Sequence, residues 1–102
     1  MTPPGDGLEF HGSASYLARV RTAPDIDMAI QAALRNRPQQ GVVVAGEVRE
    51  FVLTSGMEKY VVFYTRKGND VGLTAVYDAL DVAKIEARRQ DLKMLFDKRR
   101  KR

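Results

Sequence analysis

Lys59 and Arg66 bracket a run of alternating aromatic and β-branched residues, Tyr60-Val61-Val62-Phe63-Tyr64-Thr65. Cations at the ends of such a run can touch a phosphate or, as lone surface cations, simply stay solvated. Tyr60, Tyr64 and, further along, Tyr77 offer ring faces that can stack on bases. Tyrosines at alternating strand positions serve equally well as core residues with a wet hydroxyl. His11 is the single histidine; imidazole can act as acid or base near neutral pH, or serve as a surface or capping residue. One histidine rules out a multi-histidine metal centre, so neither metal nor cofactor is expected. The chain has no cysteine, which excludes a disulfide framework, thiolate metal ligands and a cysteine nucleophile. It shows no phosphate-cradling glycine loop, paired-carboxylate site or nucleophile elbow. Asp78 and Asp81 read as caps opening the last helix.

The chain has 102 residues, is 44% hydrophobic and 29% charged, and carries a formal net charge of +4. That length and balance suit one globular domain with one core. The charge is not spread evenly. Lys98, Arg99, Arg100, Lys101 and Arg102, offset only by Asp97, account for all of it, so residues 1–96 are close to neutral. Such a tail can contact nucleic acid or an acidic protein, or simply form a solvated, frayed helix end. No apolar run approaches the ~20 residues that cross a bilayer. The start, Met-Thr-Pro-Pro-Gly-Asp-Gly, lacks the charge and apolar stretch of a signal peptide. A cytoplasmic protein with no membrane partner is the expectation.

The elements that hold these residues follow from spacing and turn chemistry. Residues 1–7, with two prolines and two glycines, are expected to be disordered. A short strand is expected at 8–11 and a short helix at 13–20, with Tyr16, Leu17 and Val20 at helical spacing. Thr22 and Asp25 form a capping arrangement around Pro24, predicting a second helix whose inner face is Ile26, Ile30, Ala33 and Leu34. Pro38 ends it. Residues 42–44 read as a short extended piece. Strands are predicted at 47–54, 58–66 and 71–78, separated by Ser55-Gly56 and by Lys67-Gly68-Asn69-Asp70. Links this short make the three strands an antiparallel meander. A helix over 81–99 closes the chain, with Ile85, Leu92, Leu95 and Phe96 on its apolar stripe. The fold class is α+β: two N-terminal helices, a three-stranded antiparallel meander with a short N-terminal strand beside it, and a C-terminal helix. A single domain spans 8–96, followed by the basic tail at 97–102.

Alternation divides the strands into faces. Arg49, Phe51 and Leu53 share one face of the first meander strand, opposite Val48, Glu50, Val52 and Thr54. Tyr60, Val62 and Tyr64 oppose Val61, Phe63 and Thr65 in the second. Val71, Leu73, Ala75 and Tyr77 oppose Gly72, Thr74, Val76 and Asp78 in the third. Neither face is polar enough to stay wet. The N-terminal helices cover one. The other, carrying Val52, Val61 and Phe63, needs the C-terminal helix, a second copy of the chain, or a different partner.

Leu34-x-x-x-Pro38-x-x-Gly41, Val48-Arg49-Glu50-Phe51 and Tyr60-Val61-Val62-Phe63-Tyr64, in this order of elements, resemble the RelE/ParE toxin superfamily, and its HigB-like members in particular. The resemblance runs from Tyr16 to Phe96. It implies a toxin of a bacterial toxin–antitoxin pair, acting on gyrase or cutting mRNA on the ribosome, with a cognate antitoxin as partner. One scaffold thus carries two activities. The family's nucleases place cations on the open sheet face. Here those positions are Val48, Glu50, Val52 and Val61, and Asp78-Ala79-Leu80-Asp81 follows the last strand. Arg49 matches the family's usual arginine; its other reading is a salt bridge with Glu47 or Asp78.

Three functions are therefore expected to compete. The first is a toxin-like protein that binds gyrase or another macromolecule through Val52, Val61, Phe63 and the basic helix end. The second is a ribosome-dependent endoribonuclease using Arg49, Lys59 and Arg66 with Tyr64 or Tyr77 on RNA. The third is a detoxified phage- or plasmid-type interaction protein, homodimeric or bound to a partner.

Overall fold

The structure is a computed structural model that describes residues 7–100, with side chains as far as Asp97. The segment expected to be disordered therefore lies outside the described residues except for Gly7. Lys101 and Arg102 also lie outside them. The described residues form an α+β structure, with three helices and a five-stranded mixed sheet. In order these are β1 (Glu9–Gly12), α1 (Ala14–Val20), α2 (Pro24–Asn36), β2 (Val42–Ala45), β3 (Val48–Ser55), β4 (Glu58–Lys67), β5 (Asp70–Asp78) and α3 (Val82–Arg100).

The expected three-stranded meander, β3-β4-β5, is the centre of this larger sheet, whose order is β1-β5-β4-β3-β2. Gly56 and Gly68 sit in its two turns at φ 62° and 61°, the left-handed region glycine enters without strain. The extended piece at 42–44 proves to be a full edge strand, because Gly46 at φ 55° lets β2 fold back antiparallel on β3. The other edge is β1, which pairs parallel with β5 from Glu9 opposite Asp70 to Gly12 opposite Leu73.

The sheet separates two apolar layers. Against one face α1 and α2 pack Tyr16, Val20, Ile30 and Leu34 onto Phe51, Leu53, Tyr60, Val62, Tyr64, Val71 and Leu73. Against the other lie Val48, Val61, Phe63 and Ala75 with Ile85 and Leu92 of α3. The predicted faces of β3 and β4 hold, and α3 is the cover that the second face requires. Leu17 and Leu95, expected on inner stripes, are instead about half exposed, at 53% and 49%.

In β5 the simple alternation fails. The β4–β5 register shifts after Phe63, so Phe63 faces Ala75 while Tyr64 faces Leu73, and Thr74 is the extra residue of a β-bulge. Val71 and Leu73 point to the first layer, whereas Ala75 and Tyr77 turn to the second and Val76 joins the first. Hydrogen bonds hold the bulge. Thr74 Oγ1 donates to the Phe63 carbonyl at 2.8 Å, and the Thr74 carbonyl accepts from Ser13 Oγ at 2.7 Å. Ser13 also caps α1, its Oγ accepting from Tyr16 N at 3.1 Å. One serine thus fixes the helix start against the sheet irregularity.

Two expected caps differ. Thr22 does not cap α2; its hydroxyl donates back to the Arg19 carbonyl at 3.5 Å, and Ala23 occupies the cap position ahead of Pro24. Asp78 closes the turn before α3 by accepting from Leu80 N at 2.9 Å, while the Asp81 carbonyl accepts from Ile85 N at 3.0 Å.

Candidate functional site

The loop between α2 and β2 is built so that a guanidinium can be aimed. Gln40 Nε2 donates at 2.7 Å to the Ala33 carbonyl of α2, which also accepts from Arg37 N at 3.0 Å. The buried Tyr64 hydroxyl donates to the Gln40 carbonyl at 2.6 Å from the sheet below. Burial pushes the Tyr64 hydroxyl above the ordinary tyrosine pKa, with Arg49 and Arg66 opposing that shift. Across this pinned loop, Arg49 Nη1 reaches the Gln39 and Gly41 carbonyls at 3.4 and 3.5 Å.

Arg49 stands opposite Tyr64 in the β3–β4 ladder, so Arg66 is its diagonal neighbour on the same face. Arg66 Nε donates to the Gly68 carbonyl at 3.0 Å. Both arginines line one cleft of about 450 Å³, together with Pro38, Gln39, Gly46, Glu47 and Gly68. Neither forms an ion pair among the described residues; the expected Arg49 bridge to Glu47 or Asp78 is not made. Carbonyls brace each guanidinium while part of its fork of donors stays free for an anion.

The C-terminal helix packs on the other face of the sheet from Arg49 and Arg66, with Phe96 in the layer of Val61 and Phe63. The Phe96 ring lies directly over Gly46, where an added Cβ would fall 2.2 Å from a ring carbon. Lys98, Arg99 and Arg100 follow within about one turn. Their side chains lie outside the described residues.

The remaining candidates do not assemble with this pair. Lys59 is at the opposite end of β4 from Arg66, seven residues or roughly 23 Å away at the strand rise. The Tyr64 hydroxyl is committed to loop carbonyls, and the Tyr77 hydroxyl accepts from Arg88 Nε at 3.1 Å. The Tyr60 hydroxyl is bonded to Glu58, which raises its pKa. A single site made of Arg49, Lys59, Arg66, Tyr64 and Tyr77 is thus not formed.

The partner-binding set needs a similar correction. Val61 and Phe63 are buried, at 6% and 0% exposure, because α3 lies on them. Val52 alone of the three stays on the surface, at 58%, beside the exposed Val42. Glu50, a misplaced charge if the face were open, instead locks the cover in place. Arg89 of α3 donates from Nε to Glu50 Oε1 and from Nη2 to Oε2, both at 2.7 Å, and also pairs with Glu86. These bonds, that to Glu50 first, hold the Arg89 guanidinium firmly charged.

A second cluster was not foreseen. Glu9, His11 and Asp70 meet on the β1–β5 edge, although β1 and β5 lie far apart in sequence. No local signal announces a parallel pairing, so the sequence alone could not bring Asp70 to His11. Among the described residues no helix is long and apolar enough to cross a membrane. No protein-family model matches the chain, and no curated protein matches its sequence.

Proposed function

We propose that this protein is a toxin-like binding protein that grips a phosphodiester strand, an RNA segment, with the Arg49–Arg66 cleft and the basic end of α3. The observation that carries this reading is the pair of arginines, neither in an ion pair among the described residues, that line one cleft. Arginine forks match phosphate oxygens two at a time, and the cations of residues 98–102 add counterion release to any backbone contact. Glu47 at the same cleft opposes anions but is outnumbered.

Binding without cleavage fits this geometry better than catalysis. Cutting RNA through its own 2′-hydroxyl needs a base and an acid beside the phosphate. Lys59, Tyr64 and Tyr77, the groups proposed to help, are elsewhere or engaged. The resemblance to RelE/ParE toxins supports a cellular role in growth arrest, with an antitoxin-like partner.

Fluorescence anisotropy with a labelled single-stranded RNA over a range of salt tests the binding. Log affinity should fall linearly with log salt. Arg49→Ala with Arg66→Ala should flatten that slope by about one contact per arginine. RNA binding indifferent to both substitutions would place the contact elsewhere. Bacterial growth after induction of the chain from a tightly repressed promoter tests the toxic role; normal growth with folded protein present would favour an interaction protein without toxicity.

A further inference from the structure

The β1 edge of the sheet carries a group of donors that binding to RNA does not use. Alternation places Glu9 and His11 on one face of β1, with Phe10 turned into the first apolar layer. The parallel ladder sets Asp70 directly opposite Glu9, and Gly72 opposite His11. No side chain therefore crowds the imidazole from its cross-strand position. His11 Nε2 lies 3.4 Å from Asp70 Oδ1 and 4.0 Å from Glu9 Oε2. One ligand atom from each of the three residues falls within 4.8 Å of the others.

Two features separate this group from a chance surface contact. Carboxylates placed directly opposite each other on neighbouring strands repel, and such a pair destabilises a sheet unless a cation sits between them. The third member is an imidazole whose Nε2 is turned toward both carboxylates. Backbone pairing, including Glu9 N donating to the Asn69 carbonyl at 2.7 Å, fixes the spacing from which all three side chains start.

We propose that Glu9, His11 and Asp70 form a binding site for a divalent transition-metal ion, with zinc the best fit. One imidazole nitrogen and two carboxylate oxygens are ligands of the zinc type. Magnesium, which prefers oxygen ligands and keeps its waters, is disfavoured by the imidazole. Three protein ligands leave at least one coordination position for water. All three side chains are about two-thirds exposed, so that position is open to an outside ligand. The site ties the N-terminal strand to the β4–β5 turn and does not depend on the RNA-binding reading.

Calorimetric titration of zinc chloride into full-length protein free of any affinity tag tests the site. One equivalent should bind, with affinity lowered at least about tenfold by His11→Ala and by Asp70→Asn, and with no competition from equimolar magnesium. The His11 ring resonances should shift on zinc addition. The exposure of these side chains lets the variants keep the fold, which circular dichroism checks. Absence of zinc binding would overturn the proposal, as would zinc binding equally tight in His11→Ala.

Discussion

Replacing Glu50 by glutamine tests whether α3 is held by an ion-pair fork or only by its apolar stripe. The Glu50 side chain is 12% exposed and Arg89 32%, and the two share two bonds of 2.7 Å. A hydrogen bond to a charged group contributes about 1.5–3 kcal/mol. Glutamine keeps one acceptor oxygen but removes the charge and presents a donor to Arg89. The partial exposure of Arg89 screens part of the loss. The expected cost is about 2 kcal/mol, which lowers Tm by roughly 8–16 °C in a domain of this size. Glu86→Gln is the internal control, since Glu86 pairs with the same arginine but is 52% exposed; its cost should stay below about 1 kcal/mol. Thermal unfolding by circular dichroism gives both values. Hydrogen exchange in Glu50→Gln should show α3 amides losing protection before those of β4. A Tm drop under about 3 °C, or one equal to that of Glu86→Gln, would refute the anchoring role.

Two further outcomes follow from burial. Phe63→Ala should cost about 3–5 kcal/mol by opening a void beneath α3, while Val52→Ala on the same face should change stability by about 0.5 kcal/mol or less; chemical denaturation of both variants separates core from surface. Burial and the Asp27 hydrogen bond raise the Tyr16 hydroxyl, and burial raises that of Tyr64. Both therefore stay protonated in the folded state above pH 10, where the unfolded chain gives up its tyrosine protons. Stability from this source is intact below about pH 10 and is lost as pH rises beyond it. Tyrosinate absorbance near 295 nm should accordingly rise together with loss of the circular-dichroism signal.

The meander was readable because its signals are local. Glycine in each turn and alternating apolar residues locate β3, β4 and β5 within about two residues. The faces of β3 and β4 were readable for the same reason. Contacts far apart in sequence were not. The β1–β5 pairing joins segments about 60 residues apart, and the Glu50–Arg89 fork spans 39. Nothing near Glu50 says which arginine meets it. Arg49 and Arg66 were each recognisable as cations suited to phosphate, and the strand register brings them to one cleft. Lys59 was equally plausible by type and is excluded by its place at the other end of the strand. The Thr22 cap failed because a short threonine side chain found a nearer acceptor in the Arg19 carbonyl.

Thr74 gives β5 the character of a message with a change of reading frame. Up to Leu73 the odd-numbered side chains address the layer under α1 and α2; from Ala75 onward they address the layer under α3. One strand thereby serves two audiences without a change in composition, because the meaning of a position depends on how many residues precede it. Substitution at a single site alters one word. Deletion of Thr74 would set Ala75 directly after Leu73, so that plain alternation alone would keep Ala75 and Tyr77 on the second layer and Val76 on the first. The change of frame in this stretch is thus carried by one inserted residue, with regular alternation on either side of it.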